Sequence, residues 1–248
     1  MSAAEGKQRW SRPGLLWLYW LLLHLVLLFA LAKPDLLLRW RNQLLGRSSE
    51  VPAWYHDVHG FYLRQDALLA PGRLVFIGDS HVQSLAVGNI SVDAVNFGIG
   101  GDTSQALLAR ANYRALKQAR AIVLVIGTND LIRRDDATLL ANVRTLLERW
   151  SGTPVVLSTV LPVDDRANPR LQPRTPRLAG LATAYARLCA EYRHCRVLDS
   201  YRLFSDAEGR LLARWHEGDG IHLNAAGYER WQLALQQALM ELPVAVSH

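Results

Sequence analysis

Leu74-Val75-Phe76-Ile77-Gly78-Asp79-Ser80 is the stretch that decides the fold. Four apolar residues of strand character stop at a glycine, and a polar Asp-Ser pair then opens a helix-like pattern over 81–87. The same unit recurs down the chain. Val92–Phe97 ends at Gly98, Ala121–Ile126 at Gly127, Val155–Val160 at Leu161-Pro162, and Arg196–Leu198 at Asp199. Further helix-like stretches lie near 103–118, 135–150, 175–192 and 224–240. Short runs rich in Val and Ile, alternating with helices, predict an α/β fold: a three-layer sandwich around a parallel five-stranded sheet. Ligands of such sheets bind beyond the carboxyl ends of the strands, so the segments lying there are expected to carry the chemistry.

Those segments hold the informative polar residues. Ser80 sits at a tight strand-to-helix turn, placed for nucleophilic attack and with its own N–H at a helix start; Asp79 and Ser80 also read as plain N-cap residues. After the second strand, Asn96-Phe97-Gly98-Ile99-Gly100-Gly101-Asp102-Thr103-Ser104 places three glycines within four residues, a loop that lets the backbone approach a ligand closely. After the third, Asn129 of Gly127-Thr128-Asn129-Asp130 offers an amide to an oxyanion, or an Asx-type turn. Near the C-terminus, Asp219-Gly220-Ile221-His222 puts a carboxylate three residues before an imidazole. That spacing lets Asp219 fix the tautomer of His222 and leaves His222 to act as general base on Ser80. Each segment has a bland reading as a turn or cap. Together they fall on one sheet edge, in an order that makes a complete acyl-transfer site.

Gly78-Asp79-Ser80, Gly101, Asn129 and Asp219-x-x-His222 resemble the four motif blocks of the SGNH, or GDSL, hydrolases, over about residues 70–242. The run Asn96–Thr103 is especially similar to platelet-activating-factor acetylhydrolase catalytic subunits and to bacterial lysophospholipase-like esterases. The resemblance implies a flavodoxin-like sandwich and a serine esterase that needs no cofactor and no metal. It makes Ser80 the nucleophile, His222 the base and Asp219 its orienting partner. The oxyanion hole would be the Ser80 and Gly101 N–H groups with the Asn129 amide, and Asp79 would support the turn. His81 departs from the pattern, where members commonly carry an apolar residue, and is expected to be a partly exposed helix histidine.

Outside this body the N-terminus is distinct. Residues 14–32 run with only His24 strongly polar, and Trp10, Trp17, Tyr19 and Trp20 gather at the start. At about 1.5 Å per residue the stretch reaches roughly 28 Å, enough for a transmembrane helix. Residues 1–13 read as a basic N-tail, 14–32 as a membrane signal anchor, 33–69 as a juxtamembrane linker with a basic amphipathic stretch at 35–46, and 70–248 as the hydrolase domain. Ala30-Leu31-Ala32 also fits a signal-peptidase site. The preferred reading is a retained anchor with the catalytic domain on the extracytoplasmic, periplasmic side and the lipid bilayer as partner.

The chain has 248 residues, 50% hydrophobic and 20% charged, which excludes a disordered or disulfide-stapled class. Its net charge is +6, but residues 1–50 carry seven Lys/Arg against three Asp/Glu, so the body is nearly neutral and no nucleic-acid partner is expected. His216-Glu217 lacks the second histidine of a zinc helix. Cys189 and Cys195 pair if the domain is exported and stay reduced if it is cytosolic. The loop 162–177 holds Arg166, Arg170, Arg174 and Arg177, either as anchors for an anionic substrate group or as a solvated loop. The expected function is a membrane-anchored esterase acting on an acyl or acetyl ester, such as a lysophospholipid. The alternatives are an O-acetyl esterase or acyltransferase acting on an envelope polysaccharide, and a non-catalytic anchored binding module.

Overall fold

The computed structural model describes residues 12–33, 51–167 and 175–242, and the chain divides into two units, Met1–Ser49 and Glu50–His248. The second unit is built on strands β1 (Leu74–Gly78), β2 (Ala94–Gly98), β3 (Ala121–Val125), β4 (Val155–Ser158) and β5 (Cys195–Leu198). All four pairings are parallel, in the order β2-β1-β3-β4-β5. The two-residue period of a strand sorts the side chains. Val75 and Ile77 of β1, with Ile122 and Leu124 of β3, enter one core; Leu74, Phe76, Val123 and Val125 enter the other.

Each core is closed by helices. The first face takes α4 (Ser104–Arg110), α5 (Arg114–Lys117), α6 (Asp136–Arg149) and α7 (Thr175–Ala190), through Leu107, Leu116, Val143, Leu146, Leu181 and Tyr185. The second takes α3 (Ser80–Gln83), α8 (Ser200–Phe204) and α9 (Ala225–Met240), through Val82, Phe204, Trp231 and Leu235. This is the expected three-layer sandwich. The helix expected over 103–118 divides into α4 and α5, because Asp66 accepts the backbone N–H groups of Arg114 (2.7 Å) and Ala115 (2.8 Å) and so starts a new helix.

Asp66 belongs to α2 (Ala53–Asp66), which falls inside the segment 33–69 expected as a linker. Instead of linking, α2 is packed on the body. Tyr55 and Val51 share a core cluster with Ile99 and Ala106, and Tyr62 donates to the Gly98 carbonyl at 2.8 Å. The residues 1–11, the amphipathic stretch at 35–46 and Arg170 and Arg174 lie outside the described residues.

In the first unit, α1 (Arg12–Ala32) is helical, as expected for the apolar stretch. The expectation of a transmembrane span there is corrected: among the described residues no helix is long and apolar enough to cross a membrane. Large apolar groups of α1, among them Trp17, Leu22, Val26 and Phe29, are exposed.

Candidate active site

Ser80 is the first residue of α3, and the packing of β1 dictates its place. A Cβ on Gly78 would lie 2.0 Å from the Val125 carbonyl oxygen, so only glycine lets β1 run against β3 up to the turn. Asp79 then caps α3 by accepting the His81 backbone N–H at 3.0 Å. The result is a half-buried Ser80 at the carboxyl edge of the central strand, beside the point where the sheet order reverses between β1 and β3.

His222 reaches Ser80 from the loop before α9. Its Nε2 lies 3.0 Å from Ser80 Oγ, and its Nδ1 lies 2.6 Å from Asp219 Oδ2. Asp219 is itself fixed, because its Oδ1 accepts the backbone N–H groups of Ile221 and His222, each at 2.9 Å. Burial pushes the Asp219 carboxyl up, but the Ile221 N–H and the bonds from His222 outweigh it and hold the group below the ordinary carboxylate range. An anion on Nδ1 orients the ring with its proton toward Asp219, leaving Nε2 free to accept from the serine hydroxyl.

The other predicted residues converge on the same edge. Gly101, in the turn after β2, has φ +75°, a conformation that glycine adopts without strain. The Asn129 amide donates to the Asp102 carbonyl at 2.9 Å, which holds it beside Gly101. An amide nitrogen has two hydrogens, so one remains for a ligand oxygen. Ser80, His222 and Asp219 are therefore joined in one chain of contacts, and Asn129 is held beside Gly101 in the turns that follow β3 and β2 at the same sheet edge. Such a set can deliver a nucleophile, take up its proton and present donors to the oxygen on which charge develops.

Beneath the Gly101 turn lies a buried polar network centred on Arg110, which no local sequence pattern marks. Arg110 Nε donates to Asp102 Oδ2 at 2.9 Å. Its second terminal nitrogen donates to the Phe97 carbonyl at 2.8 Å and the Gly78 carbonyl at 3.2 Å. Tyr55 of α2 donates to Asp102 Oδ1 at 2.7 Å. Next to it, Asp130 accepts the N–H and hydroxyl of Ser104, and Asn142 of α6 donates to that hydroxyl. These groups brace the turns that carry Ser80, Gly101 and Asn129. Arg110 and Asn142 leave only the trace of polar residues inside otherwise apolar helix patterns, while Asp102, Ser104 and Asp130 lie in the loops noted after the second and third strands.

Of three subsidiary readings, that of His81 is corrected and the two left open gain structural detail. Arg177 is committed to Asp136 and to the Leu131 and Arg134 carbonyls, so it braces the start of α6; Arg166 pairs with Asp164 and Asp206. His81 is not partly exposed but 1% exposed. Cys189 and Cys195, left open by the sequence, are joined as a disulfide between α7 and β5.

Comparison with known proteins agrees with this geometry. Residues 76–230 match the model of the GDSL-like lipase/acylhydrolase family. The alpha1 subunit of platelet-activating factor acetylhydrolase IB from Bos taurus is 30% identical over 180 residues, 68% of this chain and 75% of that protein. In fold, a solved structure from Streptococcus pneumonia superposes with a TM-score of 0.69 at 24% identity, covering 82% of this chain and 97% of its own. A GDSL-like lipase from Bacteroides thetaiotaomicron superposes with a TM-score of 0.63 at 20% identity, covering 74% and 97%. The chain thus belongs to the GDSL-like lipase/acylhydrolase family and is a serine ester hydrolase.

Proposed function

We propose that this chain hydrolyses an acyl or acetyl ester of a lipid-like alcohol, such as a lysophospholipid, through an acyl-enzyme on Ser80, and does so at a lipid bilayer. The observation that carries the chemistry is the chain of contacts from Ser80 Oγ through His222 to Asp219, at 3.0 and 2.6 Å. His222 Nε2 takes the hydroxyl proton as Ser80 Oγ bonds to the ester carbonyl carbon. The carbonyl oxygen becomes an oxyanion and is received by the Ser80 and Gly101 N–H groups and the Asn129 amide. Collapse expels the alcohol, which leaves with the proton from His222. Water then attacks the acyl-enzyme by the same route and releases the acid.

Two features support the location. The exposed apolar groups on α1 suit an apolar medium better than water, each large one contributing about 1.5–3 kcal/mol when covered. The Cys189–Cys195 pair suits an oxidising compartment, hence the extracytoplasmic side. The similarity to platelet-activating factor acetylhydrolase subunits favours a lipid ester.

The test compares full-length, detergent-solubilised wild type with Ser80→Ala on p-nitrophenyl esters from acetyl to palmitoyl and on lysophospholipid. Loss of all activity above background in Ser80→Ala is expected, and the chain-length optimum separates acetyl from lipid substrates. A folded wild type no more active than the variant, yet passing an acyl group to a sugar hydroxyl, would replace hydrolysis by acyl transfer. Failure of the full-length protein to float with phosphatidylglycerol-containing vesicles would remove the bilayer.

A further inference from the structure

His81 follows the proposed nucleophile directly and is buried, with each ring nitrogen against an oxygen. Nδ1 lies 3.2 Å from Asp79 Oδ1, and Nε2 lies 3.1 Å from the Ile221 carbonyl oxygen. A carbonyl oxygen only accepts, and Asp79 Oδ1 already accepts the His81 backbone N–H. A neutral imidazole carries one N–H and would leave a lone pair facing an oxygen on one side. The imidazolium donates on both sides, with the Asp79 carboxylate as its counter-ion. Burial disfavours the charge, yet the Asp79 and Ile221 bonds outweigh it and hold the ring above the ordinary histidine range. Tyr228 donates to the His81 carbonyl at 3.2 Å, and the Trp231 ring stands edge-on at 6.4 Å, so α9 closes the space around the ring.

The two ends of this bridge belong to the two halves of the site. Asp79 is the cap of the helix that starts at Ser80, and Ile221 stands between Asp219 and His222. His81 thus spans, on the buried side, the same gap that the Ser80–His222 hydrogen bond spans nearer the solvent. His216 also holds the loop, its Nδ1 accepting the N–H groups of Gly218 at 2.9 Å and Gly220 at 3.3 Å. Those contacts shape the loop but do not tie it to the turn of Ser80. His81 does.

We propose that His81 is a positioning residue: as an imidazolium donating to Asp79 and to the Ile221 carbonyl, it sets the separation of Ser80 and His222 before substrate arrives. The inference rests on the reading of Ser80 as nucleophile and His222 as base, and it assigns His81 no contact with substrate.

Two substitutions separate the two bonds. His81→Gln keeps a donor at the Nε2 position, facing Ile221, whereas His81→Asn keeps one near the Nδ1 position, facing Asp79. In the full-length protein, His81→Asn is expected to lower kcat on p-nitrophenyl acetate about 10- to 100-fold with KM within about twofold, the scale of a misplaced reacting group. Its rate of labelling by a serine-directed phosphonate should fall in parallel. His81→Gln should recover kcat to within about threefold of wild type, because the Ile221 bond alone crosses to the loop of His222, whereas Asp79 is already held to the turn by the chain and by its bond from the His81 backbone N–H. Wild-type rates in His81→Asn, or equal losses in both variants, would overturn the role. On unaltered protein, long-range proton–nitrogen NMR at neutral pH should find both His81 nitrogens protonated; a neutral ring overturns the bridge whether or not either variant folds. If Ser80→Ala keeps wild-type activity and labelling, the nucleophile assignment fails and takes this inference with it. If activity depends on Ser80 but His81→Asn is unaffected, only the inference fails.

Discussion

In the proposed mechanism Asn129 and Asp219 make different contributions to the same reaction, and their substitutions should separate them. The Asn129 amide has one hydrogen on the Asp102 carbonyl and one to offer to an oxyanion, so it acts on charge that develops only in the transition state. Asn129→Ala is expected to lower kcat by about 10²- to 10³-fold with little change in KM, measured by steady-state kinetics on p-nitrophenyl acetate. Asp219 acts earlier, by choosing which His222 nitrogen carries the proton. Asp219→Asn should lower kcat by about 10⁴-fold, since an amide can donate to Nδ1 and favour the wrong tautomer. The same carboxylate has a pH signature. Its folded-state pKa is depressed, so its stabilisation is present above the ordinary value of about 3.9 and is lost as pH falls through the lower folded value. Protein unfolded by acid should therefore release the wild-type advantage over Asp219→Asn only below about pH 4, which paired urea titrations between pH 3 and 6 would show.

At the scale of elements, Arg110 joins more of the fold than any residue of the proposed triad. From α4 it reaches Asp102 in the turn after β2, the Gly78 carbonyl at the end of β1, the Phe97 carbonyl of β2 and, through Asp102, Tyr55 of α2. Removing one partner of a buried ion pair leaves the other uncompensated. Arg110→Met is therefore expected to cost about 3–5 kcal/mol in urea denaturation, with activity falling as the Gly101 turn loosens. The sequence could not show this. The strands were readable because burial on both faces writes short apolar runs rich in Val and Ile, and the capped turns were readable because Gly78-Asp79-Ser80 and Asp219-x-x-His222 act over two or three residues. Arg110 instead acts on residues 8 to 32 positions away, and Tyr55 on one 47 away, so nothing local marks them. The same reason hid α2, whose Tyr, Trp and Phe are interleaved with His and Asp and find their partners only in the folded body. His81 looked like a surface histidine because its two acceptors, one of them 140 residues on, have no local signature.

For the whole molecule, two stability contributions depend on the medium, and they separate cleanly. The Cys189–Cys195 bridge closes a short loop at the buried end of α7, where Cys189 joins the main core. A loop of this length corresponds to about 2 kcal/mol of chain entropy, so reduction should lower the Tm by about 4–8 °C at any pH where the reductant works. His81 gives a contribution that varies with pH. The groups facing its ring are Asp79 from the β1 turn, Asp219 and His222 from the loop before α9, and Tyr228 and Trp231 from α9. The carboxylates prevail, and the folded pKa lies above the ordinary value of about 6.5. Folding therefore binds the proton more tightly than the unfolded chain does. That stabilisation is complete below the unfolded value and drains away as pH rises through the folded one. Wild type should exceed His81→Gln in Tm by a constant margin on the acid side of pH 6, and the margin should shrink steadily towards pH 10. Scanning calorimetry of both proteins in oxidised form checks it, because the disulfide term is common to the two and cancels. A margin that grows with pH would mean that the buried ring is neutral in the folded protein, and that burial rather than Asp79 governs it.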